Sequence, residues 1–368
     1  MSFFQFSILK KSKNSNARSG IIKTPNGIIE TPCFVPVATN ATIKSCTSEQ
    51  INEIGIDLMF CNTYHMSVYP GTDIVKNAGG LHKFMGRNKP IITDSGGFQI
   101  FSLMYGGVTE EIKSKGLKNK ENTVLLLNEE GVFFRSYHDG KKIFLSPEIS
   151  INFQKELGAD IIIPLDELLP YHTEEEEFKN SFYRTHRWQL RSLEEHKKNI
   201  QNQAIYGVVH GGILSEYRKL SCEILSKNDF NGYAIGGSLG KSTSDVIFVL
   251  DSTVRYLSYE KPRHLLGIAD LRTIEEAIKS GIDTFDSAYP TKCARHGFLF
   301  SDNGPIKIGQ SKWKNFHEKI SYAPYCKNYS ASYLHSLYKK KEALYANLAS
   351  LHNIWYLNNL CKKIRESI

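Results

Sequence analysis

Short apolar segments alternate with longer polar segments along most of the chain. Each apolar segment is β-branched or otherwise hydrophobic and ends in Gly, Asp, Asn or His, and many are followed by residues with helical spacing. The pattern predicts eight buried strands, at Pro32–Thr39, Leu58–Tyr64, Pro90–Gly97, Asp160–Glu167, Ala204–Gly211, Gly232–Gly237, His264–Ala269 and Thr284–Pro290. Eight buried parallel strands joined by crossover helices make an α/β fold, the (β/α)8 or TIM barrel.

An open, doubly wound sheet is the structural alternative to the barrel. Such a sheet usually has fewer strands and would need a phosphate-binding glycine turn after its first strand. No such turn follows Pro32–Thr39. The closed barrel is therefore the prediction that we carry forward.

Two regions lie outside this alternation. Phe4–Leu9 and Gly20–Ile29, with a turn at Pro25–Gly27, predict an N-terminal hairpin that caps the barrel. Gly131–Tyr137 and Lys142–Leu145 predict a second hairpin, inserted after the third strand. No linker or internal repeat divides the chain, so we expect a single domain.

The composition is that of a globular protein with a basic C-terminal end. Of the 368 residues, 41% are hydrophobic, which is enough for a large core. The formal net charge is 46 − 38 = +8, and residues 306–368 alone carry 11 − 3 = +8. This end suits a polyanionic partner such as RNA, and a lysine-rich solvated helix surface accounts for the charge equally well.

The sequence contains no recognisable targeting or membrane segment. No apolar stretch reaches the roughly 18 residues that a transmembrane helix needs, and the N-terminus lacks the order of a signal peptide. Seven scattered cysteines do not form the pattern of a disulfide framework. We therefore expect a cytoplasmic protein with no membrane partner.

Polar residues gather where the predicted strands end, which is where barrel enzymes place their chemistry. These strand ends are Cys61–His65, Thr93–Gln99, Leu165–Glu167, Val209–Gly212, Gly236–Ser238 and Asp286–Ser287. Paired glycines beside carboxylates favour a small planar ligand, and two Asp residues can divide nucleophilic and acid–base work. Singly, each residue also fits a helix cap or a tight turn, but nearly every strand ends this way.

The motifs at these strand ends resemble the signatures of the tRNA-guanine transglycosylases. They are Asn62–His65, Thr93–Gln99, Asp166–Glu167, Gly211–Gly212, Ala234–Gly237 and Phe285–Ser287. The resemblance extends from Arg18 to Ile364. It implies a glycosyltransferase of tRNA processing that replaces the wobble guanine of G-U-N anticodons with preQ1 or queuine, which are 7-deazaguanines, in queuosine biosynthesis.

The resemblance also implies the roles of the two catalytic residues. Asp286 matches the nucleophile, which attacks C1′ of the ribose and holds the tRNA as a covalent ester. Asp94 matches the general acid/base, which takes a proton from the incoming base. Two displacements at one anomeric carbon are similar to the reaction of a retaining glycosidase.

Further roles follow from the resemblance for the base and for the anticodon loop. Residues matching those that read, border or sandwich the base are Asp166, His210, Gly236, Gly237, Phe98 and Leu266. Residues matching those that grip the tRNA are Gly267, Asp270, Arg272, Thr291, Lys292 and Arg295. The target base must leave its stack to reach such a pocket.

The largest departure from the family pattern lies in a metal site. The family motif is Cys-x-Cys-x2-Cys followed by a zinc-binding His. The aligned segment Ser321–Cys326 keeps one cysteine, and His352 stands 26 residues after Cys326, at the family spacing. Because two ligands cannot fill a tetrahedral zinc site, we expect neither zinc nor another cofactor. His335 is an outside candidate for a third ligand.

This departure bears on stability and assembly more than on chemistry. Residues 300–352 are expected to form a degenerate zinc-type subdomain, folded by apolar packing, within one catalytic domain of residues 1–368. A C-terminal helix follows the subdomain. Family members pair as homodimers near this region, so we expect a homodimer that the loss of zinc weakens.

The predicted base pocket departs from the bacterial pattern as well. His210 stands where a Gln is common, Leu168 stands where a Cys is common, and the turn Gly237–Gly240 is one residue shorter. These positions border the base and its 7-substituent. The choice between preQ1 and queuine stays open, and the shorter turn favours room for queuine.

Two other functions compete with this interpretation. A non-catalytic tRNA-binding subunit of a heteromeric transglycosylase would fit the degraded zinc motif, but it has no need of Asp94, Asp166 and Asp286 together. A metal-dependent barrel hydrolase would use His65, His210 and Asp286 as ligands. It would need a paired His motif at one strand end, which the sequence lacks.

Overall fold

The computed structural model describes residues 3–105, 124–170, 173–268 and 270–368. The N-terminal residues form an antiparallel sheet of β1 (Gln5–Lys11), β2 (Arg18–Thr24) and β3 (Gly27–Thr31). The sequence predicted two strands here, and the structure has three. The segment Gly20–Ile29 is divided by the turn that contains Asn26, and both the backbone and the side-chain N–H of Asn26 donate to the carboxylate of Asp160.

Eight parallel strands close into a barrel, and their order around it is their order along the chain. The barrel strands are β4 (Cys33–Ala38), β5 (Met59–Cys61), β6 (Ile91–Thr93), β10 (Ile161–Ile162), β11 (Ala204–Val209), β12 (Gly232–Ile235), β13 (Arg263–Leu265) and β14 (Thr284–Ser287). Seven of them lie within the predicted segments, and β13 begins one residue before its segment, so the predicted TIM barrel is confirmed. Ala269, which ends the seventh segment, lies outside the described residues.

Strands buried on both faces explain the continuous apolar segments of the sequence. Every residue of β11 is buried, because the barrel interior covers one face and the helices cover the other. Val35, Phe60 and Ile161 from barrel strands share one buried cluster with Ile22 and Ile29. The N-terminal sheet therefore packs directly against the barrel.

Helices follow most of the barrel strands and cover their outer faces. They are α1 (Ser48–Glu53), α2 (Thr63–Val68), α3 (Thr72–Asn77), α4 (Gly80–Phe84), α5 (Gly97–Tyr105), α6 (Pro147–Leu157), α7 (Glu175–Lys198), α8 (Ser215–Ser226), α9 (Thr243–Val254), α10 (Leu271–Lys279), α11 (Tyr289–Arg295), α12 (Ala331–Lys340) and α13 (Ala343–Ser367). None of the described helices is long and apolar enough to cross a membrane.

The insertion after β6 contains an antiparallel sheet of β7 (Val124–Leu127), β8 (Val132–Arg135) and β9 (Lys142–Leu145). The last two strands match the predicted hairpin, and β7 adds a third strand on the other side of β8. Residues 106–123 of the predicted insertion lie outside the described residues. The carbonyl of Glu129 accepts from the indole N–H of Trp188 at 2.8 Å, which ties this sheet to α7.

The C-terminal residues pack against the last part of the barrel. A small hairpin of β15 (Phe298–Leu299) and β16 (Ile306–Lys307) and a 3-10 turn (Ser311–Trp313) precede α12 and α13. The side chain of Asn353 in α13 accepts from the N–H of Phe300 and donates to the carbonyls of Pro290 and Phe298. These bonds fix α13 to the chain that leaves β14.

Candidate active site

Asp94 directly follows β6 and is held by three neutral donors. Its Oδ2 accepts from Asn62 Nδ2 and from Gln99 Nε2, each at 2.8 Å, and its Oδ1 accepts from the backbone N–H of Thr63 at 2.7 Å. Asn62 and Thr63 come directly after β5, and Gln99 lies in the first turn of α5. Two adjacent strand ends and one helix start therefore fix the orientation of this carboxylate.

Burial makes Asp94 an unusually weak acid for an aspartate. Burial raises the pKa of Asp94 from 3.8 to about 6, the three hydrogen bonds oppose the rise, and the charge of Asp286 adds to it. Both carboxylates lie at the same mouth of the barrel, because each stands at the C-terminal end of a parallel strand. A carboxyl group with a pKa close to neutral can both donate and accept a proton at physiological pH.

Asp286 lies near the end of β14 and is also buried. Its Oδ1 accepts from the backbone N–H of Gly267 at 2.9 Å and lies 3.1 Å from His264 Nε2. Among the described residues, both of its hydrogen bonds go to Oδ1. The second carboxylate oxygen is thus the one left for chemistry at the mouth.

Asp166 follows β10 and pairs with His210, which follows β11. Its Oδ2 lies 2.8 Å from His210 Nε2, and its Oδ1 accepts from Ser95 Oγ at 3.4 Å. The backbones approach closely here: a Cβ at Gly97 would lie 2.5 Å from the Asp166 carbonyl oxygen. Glycine at position 97 therefore allows the loops after β6 and β10 to meet at this carboxylate.

The glycines after β12 line the same region as His210. A Cβ at Gly236 would lie 2.9 Å from Leu266 Cδ1, and one at Gly237 would lie 3.1 Å from His210 Nδ1. Leu266 is partly buried, while Phe98 in the first turn of α5 leaves 46% of its surface exposed. The structure thus brings Gly236, Gly237, His210 and Leu266 together and leaves the ring of Phe98 accessible.

The six residues matched to tRNA contacts lie on the loops and helices after β13 and β14. They are Gly267, Asp270, Arg272, Thr291, Lys292 and Arg295. Gly267 has a φ of +75° and open space beside it, whereas the side chain of Asp270 caps α10 by accepting from Thr273 N at 3.1 Å. Arg272 and Lys292 are exposed, Arg295 is half-buried and Thr291 is buried. Their contacts with tRNA stay predictions.

Arg218 is a functional candidate that the sequence did not reveal. Its buried guanidinium donates to the carbonyls of Gly212 at 2.7 Å, Val209 and Gly236 at 2.9 Å, and Ser238 at 3.0 Å. Four bonds from one side chain therefore tie the loop after β11 to the loop after β12. This role could not be predicted from the sequence, because an Arg at helical spacing in α8 has the pattern of an exposed residue.

Burial lowers the pKa of Arg218 from 12.5 to about 9, so its guanidinium still carries a proton at neutral pH. A planar group with five donors suits this position, because its geometry matches several carbonyl oxygens at once.

The residues that remain from the family zinc motif do not fit a zinc site. His352 Nδ1 lies 2.7 Å from Ser321 Oγ, and its Nε2 lies 2.8 Å from the carbonyl oxygen of Phe300. Since a carbonyl only accepts, Nε2 carries the proton and Nδ1 accepts from the hydroxyl group. The Cys326 thiol donates to the carbonyl of Leu348 at 3.0 Å, and burial raises its pKa to about 12.

His335, the outside candidate for a third ligand, is engaged elsewhere. Its Nδ1 lies 2.7 Å from the carbonyl oxygen of Ile308. Within the described ranges, no group of three or more His, Cys, Asp or Glu side chains is arranged to hold a metal ion. The polar atoms of Cys326 and His352 are thus engaged in hydrogen bonds with other groups of the protein.

A family model described as queuine tRNA-ribosyltransferase matches residues 12–368. The chain belongs to this family. A protein of Protochlamydia amoebophila with that name is 52% identical over 371 residues, which cover 100% of this chain and 96% of that protein. The proteins of that name from Chlamydia caviae and Chlamydia abortus are 52% and 50% identical, and each alignment covers 99% of this chain and 98% of the relative.

The resemblance predicted from the strand-end motifs is therefore confirmed at the level of the family. The chain is an enzyme of the tRNA-guanine transglycosylase type, which is a class of glycosyltransferase. Family membership leaves the role of each residue as a prediction.

Replacing Arg218 by Lys tests whether the guanidinium shapes the base pocket. A lysine cannot reach both loops at once, and hydrogen bonds to charged groups are worth about 1.5–3 kcal/mol. We expect the Kd for guanine, measured by calorimetry, to rise about tenfold or more in a protein that still folds. The matched control is Arg255→Lys, at an exposed arginine that directly follows α9. Equal guanine affinity in both variants would contradict the assigned role.

Proposed function

We propose that the chain exchanges the wobble guanine of a tRNA anticodon for a 7-deazaguanine by two displacements at C1′. The convergence of Asp94, Asp166 and Asp286 at one barrel mouth is the observation that supports this most directly. Membership of the family supports it as well. The reaction belongs to queuosine biosynthesis and takes place in the cytoplasm.

The first displacement forms the covalent intermediate. The free oxygen of Asp286 attacks C1′, the C1′–N9 bond breaks, and its electron pair leaves with guanine. Asp94 in its protonated form gives its proton to the departing base, which its raised pKa allows. The tRNA is then held as an ester of Asp286.

The second displacement reverses these steps with a new base. The incoming base loses its N9 proton to ionised Asp94, N9 attacks C1′, and the ester bond breaks. Its electron pair returns to the carboxylate of Asp286. Two inversions at one carbon retain its configuration, as in retaining glycosidases.

The pocket beside the catalytic pair selects the base. Asp166 accepts from the N–H groups of the Watson–Crick edge of guanine, and His210 Nε2 at 2.8 Å holds that carboxylate in place. The backbones of Gly236 and Gly237 border the base, and Phe98 and Leu266 lie on its two faces. The half-exposed ring of Phe98 supports this, because an aromatic face stacks on a flipped base.

A cavity of about 500 Å³ adjoins this pocket and reaches His210, Gly237 and Ser238. Phe178 and Tyr217 form part of its wall. It offers room for the 7-substituent of preQ1 or of the larger queuine. Competition between the two bases in the exchange reaction decides which is preferred.

The tRNA partner is held by Gly267, Asp270, Arg272, Thr291, Lys292 and Arg295 in this proposal. Exposed Arg272 and Lys292 would contact the phosphates of the anticodon loop. The whole chain, residues 1–368, acts as one catalytic domain with residues 300–352 as a zinc-free subdomain. It works as a homodimer in which each copy carries a complete set of carboxylates.

Exchange of labelled guanine into unmodified tRNA tests the proposed function. Asp286→Ala should lower exchange by several orders of magnitude, because the variant lacks the nucleophile, while tRNA binding should persist. Asp229→Asn, at an exposed carboxylate that precedes β12 and so lies at the end of the barrel opposite the mouth, is the control and should retain full exchange. Full activity of Asp286→Ala would overturn the mechanism. A wild-type protein that binds tRNA without exchange would favour the non-catalytic subunit.

The pKa of Asp94 predicts opposite pH limbs for the two displacements. Ester formation needs protonated Asp94 and should slow as pH rises above about 6. Attack of free guanine on the preformed ester needs ionised Asp94 and should slow as pH falls, with a midpoint below that of the first step, because esterified Asp286 no longer carries the charge that raises the pKa of Asp94. Rapid-quench measurements of each step at constant ionic strength separate them. Asp94→Asn should remove both limbs. If both displacements shared one limb in the wild-type protein, Asp94 could not serve as acid and base in turn.

We expect the protein to be independent of zinc. The hydrogen bonds of His352 to Ser321 and Phe300 use both ring nitrogens, so no lone pair is free for a metal. Treatment with a strong chelator should change neither the melting temperature nor the exchange rate, and elemental analysis should find less than one zinc per chain. A stoichiometric zinc, or unfolding on chelation, would contradict this expectation.

A further inference from the structure

His264 contacts the predicted nucleophile but belongs to none of the residue sets assigned above. It lies in β13 with no exposed side-chain surface. Its Nε2 is 3.1 Å from Asp286 Oδ1, and its Nδ1 is 2.8 Å from Thr284 Oγ1. The ring of Phe60 stacks on it with centroids 5.9 Å apart. This neighbourhood fixes the ring on both edges and on one face.

The hydrogen-bond partners determine where His264 carries a proton. An ionised carboxylate only accepts hydrogen bonds, so Nε2 must be protonated to bond to Asp286. A hydroxyl group can donate or accept, so Thr284 satisfies Nδ1 in either state. In the neutral ring, the contact with Asp286 selects the Nε2–H tautomer, and the Thr284 hydroxyl donates to Nδ1.

The same oxygen of Asp286 receives a second donor from the backbone. Gly267 N lies 2.9 Å from Oδ1. Two N–H groups therefore converge on Oδ1, in the manner of the paired donors that stabilise an oxyanion. The other carboxylate oxygen stays available to form a bond.

We propose that His264 is a positioning residue that, with the Gly267 N–H, holds Asp286 Oδ1 and stabilises this carboxylate as the leaving group. The inference rests on the proposed function. When the C1′–O bond of the ester breaks, its electron pair returns to the carboxylate. Part of the new negative charge lies on Oδ1, where the N–H groups of His264 and Gly267 stabilise it by hydrogen bonds. His264 transfers no proton in this step.

This role predicts which half of the reaction suffers when His264 is lost. In the ester, Oδ1 is a carbonyl oxygen that carries less charge than in the carboxylate, so the two donors favour ester breakdown over ester persistence. Removing His264 should therefore slow the second displacement more than the first. The covalent tRNA complex then accumulates during turnover.

The decisive measurement is the fraction of enzyme present as covalent tRNA complex during steady-state guanine exchange, read on denaturing gels. For His264→Ala we expect kcat to fall about 100-fold, as when a single oxyanion donor is removed. The covalent fraction should rise and the Kd for free guanine should stay within about twofold, because the base is read at Asp166. His264→Gln keeps a side-chain N–H donor and should regain part of the rate.

Matched variants separate this role from a structural one. Thr284→Val removes the hydroxyl that bonds to Nδ1 and holds the His264 ring towards Asp286, so it should shift the covalent fraction in the same direction, whereas Thr284→Ser should not. His335→Gln alters a buried histidine of the C-terminal segment and serves as the control for folding. Guanine affinity and melting temperature identify any variant whose fold is damaged.

The inference is overturned if folded His264→Ala or Thr284→Val exchanges guanine at the wild-type rate. It is also overturned if their rates fall without a rise in covalent complex, or if His264→Gln regains nothing over His264→Ala. Failure of the wild-type protein to exchange guanine or to form any covalent complex would instead overturn the proposed function. The two failures are therefore distinguishable.

Discussion

The site depends on burying carboxylates at the barrel mouth beside neutral donors. Asp94 is held by two side-chain amides and a backbone N–H, and Asp286 is held by a backbone N–H and a histidine. Within the described residues, neither carboxylate pairs with Lys or Arg. A nearby cation would keep an aspartate strongly acidic, whereas neutral donors orient Asp94 and leave its pKa near 6.

A carboxylate with a structural role is instead paired with a buried arginine. Asp283, directly before β14, accepts two hydrogen bonds from the buried guanidinium of Arg18, at 2.9 and 2.6 Å. This pair ties the N-terminal sheet to the barrel and compensates both buried charges. Asp286 lies within β14, only three residues after Asp283.

The barrel could be predicted because its strands are buried on both faces and end in turn-forming residues. The strand lengths were less predictable: Leu58–Tyr64 contains a strand of only Met59–Cys61, because Thr63 already begins α2. The N-terminal hairpin became three strands because the turn at Asn26 splits the second segment and is held by Asp160. The turn itself was predictable from Pro25–Gly27, whereas its contact with Asp160, distant in the sequence, leaves no local pattern.

The site residues that could be predicted stand in local sequence motifs, and those that could not depend on contacts between distant parts of the chain. Asp94, Asp166 and Asp286 stand in motifs at strand ends, so their positions were predictable. Arg218 and His264 act through contacts made only after folding, on a helix and inside a strand respectively. An arginine in an amphipathic helix and a histidine in an apolar segment carry no functional signal by themselves.

The residues of the C-terminal segment that match the family zinc motif are held by hydrogen bonds. His352 retains the spacing of a zinc ligand, yet it bonds to Ser321 and to the carbonyl of Phe300. Unlike a zinc site, this network needs no deprotonated thiolate, and Cys326 keeps its proton because burial raises its pKa to about 12. The contacts that hold Cys326 and His352 are therefore hydrogen bonds within the chain.

The central claim is that Asp286 forms the bond to the ribose of the tRNA. The most direct test is to quench the wild-type protein with tRNA, digest the covalent complex with nuclease and protease, and locate the ribosyl adduct by tandem mass spectrometry. We expect an adduct on Asp286. An adduct on Asp94 or on any other residue, or exchange that proceeds with no adduct at all, would contradict it.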